Sequence, residues 1–222
     1  MACELWLVRH GQAAFGTDNY DRLTALGWEQ ARWLGAHLAE QGAPFDAVCA
    51  GRLRRQQETA RPIAEALGLT VETVPGFEEY DGDGLMQAAG RRARQGDRAD
   101  HFRNLRGLLV QWAEGTLQSL PPGVETWQAF QDRIARAQAT AIAADTAQPR
   151  RRVIAVSSGG AIAAAVAQAL GLPPDQMVEL NLQARNTGVT RLIFARRGVY
   201  LNQFNAVPHL DRPDRRHAET YS

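Results

Sequence analysis

Short apolar runs alternate with segments of helical periodicity along most of this 222-residue chain. The first run, Leu5-Trp6-Leu7-Val8, reads as a buried strand over 4–9 that stops on Arg9-His10-Gly11. Gly16, Asp18, Asn19 and Asp21 mark a loop over 12–25. Trp28, Ala31, Leu34 and Leu38 keep helical spacing and predict a helix over 28–40, ended by Gly42 and Pro44. A strand over 45–49, a helix over 53–67 closed by Gly68, and a strand over 70–74 stopped by Pro75 repeat the rhythm. Residues 76–124 break it. Gly82, Gly84, Gly90 and Gly96 interrupt the segment, helical spacing returns only over 105–120, and Pro121-Pro122-Gly123 closes it. Trp127, Phe130, Ile134, Ala137 and Ala141 predict a helix to about 145. A strand over 153–156 runs into Ser157-Ser158-Gly159-Gly160, a loop opening a helix over 161–170 that Gly171 and two prolines end. Residues 187–194 and 199–204 alternate across Arg196-Arg197-Gly198 as a hairpin. From Asp211 the chain is polar and reads as loose.

This order predicts an α/β fold: a three-layer α/β/α sandwich, mostly parallel, with helices on both faces and a small helical cap. One domain is expected over 1–210, with a cap insertion at about 82–123 and a polar tail over 211–222. The C-terminal strands would add an antiparallel edge. Ligands of such sheets bind at the carboxyl ends of strands. Two candidate sites sit there, at Arg9-His10-Gly11 and at Ser157-Ser158-Gly159-Gly160.

Composition narrows the chemistry. All 25 basic residues are arginine. With no lysine amine, Schiff-base, pyridoxal and Walker A chemistry are excluded. A formal net charge of +1 gives no footing for nucleic acid or an anionic membrane. No apolar run nears the roughly 20 residues of a membrane span, and no secretory leader is evident. Cys3 and Cys49 are too few for a disulfide framework and fit free thiols in the cytoplasm. The five histidines, at 10, 37, 101, 209 and 217, lack metal-ligand spacing, so no metal or cofactor is expected.

An arginine beside an imidazole at a strand end suits attack on phosphorus: Arg9 neutralises phosphoryl oxygens and His10 supplies a nucleophilic nitrogen. The helix starting near Leu53 offers N-terminal amides and the guanidiniums of Arg54 and Arg55 to an anion. Ser158-Gly159-Gly160 ahead of a helix forms an anion nest. Glu78-Glu79-Tyr80-Asp81 follows the third strand at the same sheet end, and a carboxyl there could protonate a departing oxygen.

These pieces together resemble the histidine phosphatase superfamily, also called phosphoglycerate mutase-like. The likeness rests on V-R-H-G-Q at 8–12, L-T-A-L-G-W-E-Q-A at 23–31, L-R-R-Q-Q-E-T-A at 53–60, F-E-E-Y-D at 77–81, V-E-T-W-Q-A-F-Q-D-R at 124–133, V-S-S-G-G at 156–160, F-N at 204–205 and H-L at 209–210. It implies a phosphoric monoester hydrolase acting on a small phosphorylated substrate without metal. His10 would become phosphohistidine, Arg9 and Arg55 would grip the phosphoryl oxygens, and Glu79 would protonate the leaving group. Ser158 and Gly159 would donate to the phosphate, Gln12 is a secondary site candidate, and Glu78 is the weaker candidate for the acid, since the family places the acid two residues after the apolar one, here Phe77. The chain departs from the pattern at Ser158, where the family usually carries a second histidine, at Gly51, where many members have serine, and at Ala13. His209 is the other imidazole to weigh, as a replacement or, since an Asn-x-x-x-His-Leu tail accompanies the family anyway, as a structural group. Six arginines over 91–106 read as a solvated cap face or as a guide for an anionic substrate. The rival readings are a phosphate-binding pseudophosphatase and a mutase. Substrate identity and oligomeric state stay open.

Overall fold

The computed structural model describes residues 2–14, 21–42, 44–90, 98–117, 119–143 and 150–221, with side chains excepted over 98–104. Strand β1 (Cys3–Arg9) is followed by α1 (Ala25–Glu40), β2 (Ala47–Ala50), α2 (Arg54–Leu67) and β3 (Val71–Thr73). Helices α3 (Gly82–Ala88), α4 (Arg98–Ala113) and α5 (Trp127–Ile142) lead to β4 (Arg152–Ser157). Then come α6 (Gly159–Leu170), α7 (Pro174–Leu182), β5 (Val189–Ala195) and β6 (Gly198–Ala206).

Among the described residues the strands form one sheet in the order β3-β2-β4-β1-β5-β6. β1, β2, β3 and β4 are mutually parallel, whereas β5 and β6 run antiparallel as the expected edge hairpin. Strand side chains alternate between faces. Leu5, Leu7, Val153 and Ala155 pack with residues of α3 through α7 on one face. Trp6, Val8, Ile154 and Val156 pack with Leu34 and Leu38 of α1 and Ala60 and Ile63 of α2 on the other. The three-layer expectation therefore holds. Arg9 pairs with Ser157 across β1 and β4, so these strands end side by side. No helix among the described residues is long and apolar enough to cross a membrane.

Several elements differ from the sequence expectation for local reasons. α1 starts at Ala25 rather than 28, because the Thr24 hydroxyl caps it by accepting from the Gly27 amide at 3.1 Å. Helix α3 forms where glycines suggested a break. Asp81 caps it through the Gly84 amide at 2.9 Å, and a Cβ on Gly84 would stand 2.4 Å from Val124, so glycine there is a packing requirement. The predicted 105–120 helix runs instead over Arg98–Ala113 and stops before Gly115, which adopts φ +67°. The prolines after Gly171 open α7 rather than only ending α6, since Pro174 occupies its first turn, where a missing N–H costs nothing. Of the arginine-rich stretch, 91–97 and the side chains through 104, His101 included, lie outside the described residues. Arg106 pairs with Glu179 at 2.7 Å.

The C-terminal tail is ordered rather than loose. Arg216–Ala218 form a 3-10 turn, and Ala218 is fully buried in a small cluster with Val207 and Leu210 that packs on Leu26 and Trp33. On the opposite face, an aromatic group ties α4 and α5 to the segment before α3: Phe130 lies 5.3 Å from Trp112, 5.9 Å from Tyr80 and 6.2 Å from Trp127 between ring centroids. Phe130→Ala should cost about 3–5 kcal/mol, read as a lower urea midpoint at unchanged slope. A loss under about 1 kcal/mol would mean that this cluster does not hold the layer.

Candidate active site

β1 ends by handing His10 to its neighbours. The His10 amide donates to the Ser157 carbonyl of β4 at 2.9 Å, and its own carbonyl accepts from the Asn186 side-chain amide at 3.1 Å. The Thr187 amide donates to the Arg9 carbonyl at 3.0 Å. His10 itself is almost fully buried. Its Nδ1 lies 2.8 Å from the Gly11 carbonyl, which can only accept, so Nδ1 carries the hydrogen and Nε2 keeps its lone pair. Burial first, and then the charges of Arg55 and Arg9, hold the imidazole well below its ordinary 6.5, while the bond to Gly11 opposes them. The ring is thus a neutral base with a directed lone pair.

Arg55 reaches that lone pair, donating from Nε to His10 Nε2 at 3.2 Å. Its Nη1 bonds Asp21 at 3.0 Å. The expectation that the α2 N-terminus receives an outside anion is corrected here. The Asp21 carboxylate already accepts from the Arg54 and Arg55 amides at 2.9 and 3.3 Å, neutralising the positive helix end. Thr59, one turn on, accepts from the Gly11 amide at 2.9 Å. Gly11 must be glycine because a Cβ would stand 2.5 Å from the Gly27 carbonyl oxygen. Arg9 bonds the Ala184 carbonyl through Nη1, and a Cβ on Gly159 would lie 3.6 Å from Arg9 Nε. The α6 start and the first arginine therefore adjoin.

The two adjacent glutamates separate cleanly. Glu78 turns away to Arg52, whose amide and Nε both donate to it at 2.9 Å, and to the Gly76 amide at 2.7 Å. Burial raises its carboxyl, but those bonds outweigh burial and leave it below the ordinary carboxylate range. Glu79 turns inward and accepts from the Gly160 amide of α6 at 2.9 Å. Burial is its largest influence and raises the carboxyl above the ordinary value, against the pull of the Gly160 amide and of Arg55. A Cβ on Gly160 would stand 2.4 Å from Glu79, so the second glycine makes this approach possible.

Ser158 caps α6 and is fully buried, with its Oγ 2.9 Å from the Gln56 side-chain nitrogen. The glycines expected in a loop already belong to that helix. Gln12 has a scaffolding place: its side-chain oxygen accepts from the Thr24 hydroxyl at 2.8 Å and its amide donates to Gln30 at 2.8 Å. His209 bonds Thr187 Oγ1 through Nε2 at 2.8 Å. Thr187 holds φ +54°, an uncommon conformation for a β-branched residue, and its hydroxyl donates to the Asn186 carbonyl at 2.7 Å. His209 thus braces the segment that grips His10. Burial chiefly, with the His37 and Arg215 charges adding to it, lowers the His209 imidazole to about 3.

The ordered tail explains residues that sequence reasoning missed. The Asn186 amide donates to the Thr220 carbonyl at 2.9 Å, and the Thr220 hydroxyl donates to Asn186 Oδ1 at 2.9 Å. Gln30 donates to the Ala218 carbonyl at 2.6 Å while accepting from Gln12. The last residues of the chain thereby fix Asn186 against the His10 carbonyl. Thr59 lay inside a quoted motif and was findable. Asn186, Thr187 and Thr220 carried no local signal.

A family model described as the histidine phosphatase superfamily (branch 1) matches residues 5–207. A curated relative from Enterobacter sp. (strain 638), named "Probable phosphoglycerate mutase GpmB", is 27% identical over 221 residues, covering 95% of this chain and 96% of that protein. A mycobacterial glucosyl-3-phosphoglycerate phosphatase, solved with inorganic phosphate, superposes with TM-score 0.67 at 25% identity, covering 94% of this chain and all of the other. The alpha-ribazole phosphatase from Shigella flexneri gives TM-score 0.62 at 25% identity, covering 91% and 96%.

Buried neutral His10 and His209 set a pH dependence. The unfolded chain binds protons that the folded rings refuse, so stability should fall as pH drops from about 6.5. Urea unfolding between pH 7 and 4 should show this slope, flattened in His209→Asn. An unchanged slope in that variant would contradict the assignment.

Proposed function

The chain belongs to the histidine phosphatase superfamily (branch 1), and from that premise we propose that it is a phosphoric monoester hydrolase working through phosphohistidine on His10. The observation that carries this reading is the neutral imidazole whose Nε2 lone pair meets Arg55 at 3.2 Å. Arg55 marks the place where an anion's oxygens would be drawn beside the nucleophile.

In the first half-reaction the Nε2 lone pair forms a bond to phosphorus as the phosphorus–oxygen ester bond breaks. Arg9 and Arg55 neutralise the non-bridging oxygens, and the Ser158 hydroxyl and Gly159 amide donate to them. The departing oxygen takes the Glu79 proton. Burial raises the Glu79 carboxyl above its ordinary value, the direction that a proton donor needs. In the second, the Glu79 carboxylate removes a proton from water, the water oxygen bonds phosphorus, and the phosphorus–nitrogen bond returns its electrons to Nε2. Two guanidiniums supply the positive charge that Mg²⁺ carries in many phosphoryl transfers.

The substrate is a small phosphorylated molecule, in keeping with the phosphatases to which the fold is similar. Ser158 in place of an imidazole favours one second reading, a phosphate-binding protein with little catalysis. A mutase is disfavoured because the intermediate must stay phosphorylated between half-reactions, and Ser158 leaves the site with less positive charge.

Aryl phosphate hydrolysis should persist in EDTA and fall at least roughly 10³-fold in His10→Ala. Vanadate binding without turnover on a broad substrate panel would support the binding reading instead. Glu79→Gln should lower the single-turnover rate of phosphoryl transfer to His10 by about 10²–10⁴ for alkyl phosphates, and far less for nitrophenyl phosphate, whose anion leaves unaided. Equal losses on both substrates would contradict Glu79 as the acid.

A further inference from the structure

Two of the departures from the family pattern, Gly51 and Ser158, meet at one side chain. Gln56 is fully buried in the first turn of α2, beside Arg55 in sequence. Its Nε2 donates to the Phe77 carbonyl at 2.9 Å and to Ser158 Oγ at 2.9 Å. A carbonyl only accepts, so Phe77 fixes which end of the amide is nitrogen. Ser158 Oγ must then accept from Gln56, which leaves the hydroxyl hydrogen to be donated elsewhere. Among the described residues, no acceptor is bonded to that hydrogen. The space for the amide comes from Gly51, where a Cβ would stand 2.3 Å from Gln56 Oε1.

We infer that Gln56 is a positioning residue that makes Ser158 an oriented hydrogen-bond donor to the transferring phosphoryl group, in room left by Gly51. The inference rests on the phosphohistidine reading of the site and deepens it. A serine hydroxyl in water rotates freely and accepts as readily as it donates. Here acceptance is already satisfied by the amide, and donation is reserved for a ligand oxygen. The unit supplies the hydrogen bond of an absent imidazole but not its charge. Ser158 joins this group to His10 through the chain, because the preceding Ser157 carbonyl accepts from the His10 amide. Its next neighbour, Gly159, adjoins Arg9.

A double-mutant cycle tests this. Ser158→Ala should lower kcat for an aryl phosphate by about 10²-fold. Gln56→Met, similar in length but without a donor, should lower it by about tenfold with KM little changed. In the Ser158→Ala background Gln56→Met should change kcat less than about twofold, since no hydroxyl remains to orient. Gly51→Ala, which displaces the amide end without removing it, serves as the second variant and should show the same coupling. A merely structural role would make the losses multiply. Multiplied losses, or an unchanged rate in Gln56→Met, would overturn the inference. The same cycle, with turnover of His10→Ala measured alongside, separates it from the reading beneath it. Lost coupling with His10-dependent turnover intact overturns the Gln56 inference alone, whereas His10-independent turnover overturns the phosphohistidine reading.

Discussion

The backbone of His10 is held by β4 on one side and by the segment leading into β5 on the other, and the rest of the site is arranged around that grip. Its amide bonds β4 through Ser157, and its carbonyl bonds the approach to β5 through Asn186. This works because β1 lies between a parallel and an antiparallel partner, with β4 ending and β5 beginning at one place. The imidazole's orientation then follows from one further bond, Nδ1 to the Gly11 carbonyl. An imidazole fixed in this way would need little reorganisation to act as the proposed nucleophile.

Electrostatics follow from the same enclosure. Burial and the two guanidiniums beside it together keep His10 neutral, whereas burial raises Glu79 although amides and arginines oppose it. The two groups are pushed in directions that suit a base-like nucleophile and a proton-bearing acid. Glu78, one residue away, goes below the ordinary range because Arg52 and Gly76 hold its charged form. Two residues adjacent in the chain are thus pushed in opposite directions.

What the sequence disclosed was mostly local. The apolar run before Arg9, the hairpin at 196–198 and the placing of Glu78-Glu79 after the third strand were all readable, because strand periodicity and motif spacing are properties of neighbours along the chain. Helix α7 was hidden because Pro174 looks alike as a stop and as a first-turn residue. α3 was hidden because its glycine answers to Val124, forty residues on. The Asp21 carboxylate on the α2 start, the His209 brace on Thr187 and the Thr220 clamp on Asn186 all join distant segments. No pattern in a window of ten or fifteen residues contains them. The tail's polarity suggested looseness, yet its polar groups are the ones that bond the site.

The central claim is that the His10 Nε2 lone pair accepts the phosphoryl group. Rapid quench into alkali after mixing with a labelled phosphomonoester, followed by peptide mapping and ³¹P NMR, tests it most directly. The account predicts an acid-labile phosphoryl group on Nε2 of His10 that forms and decays at rates matching turnover. Acid-stable label, label on another residue, or turnover with no labelled protein at any time would contradict it.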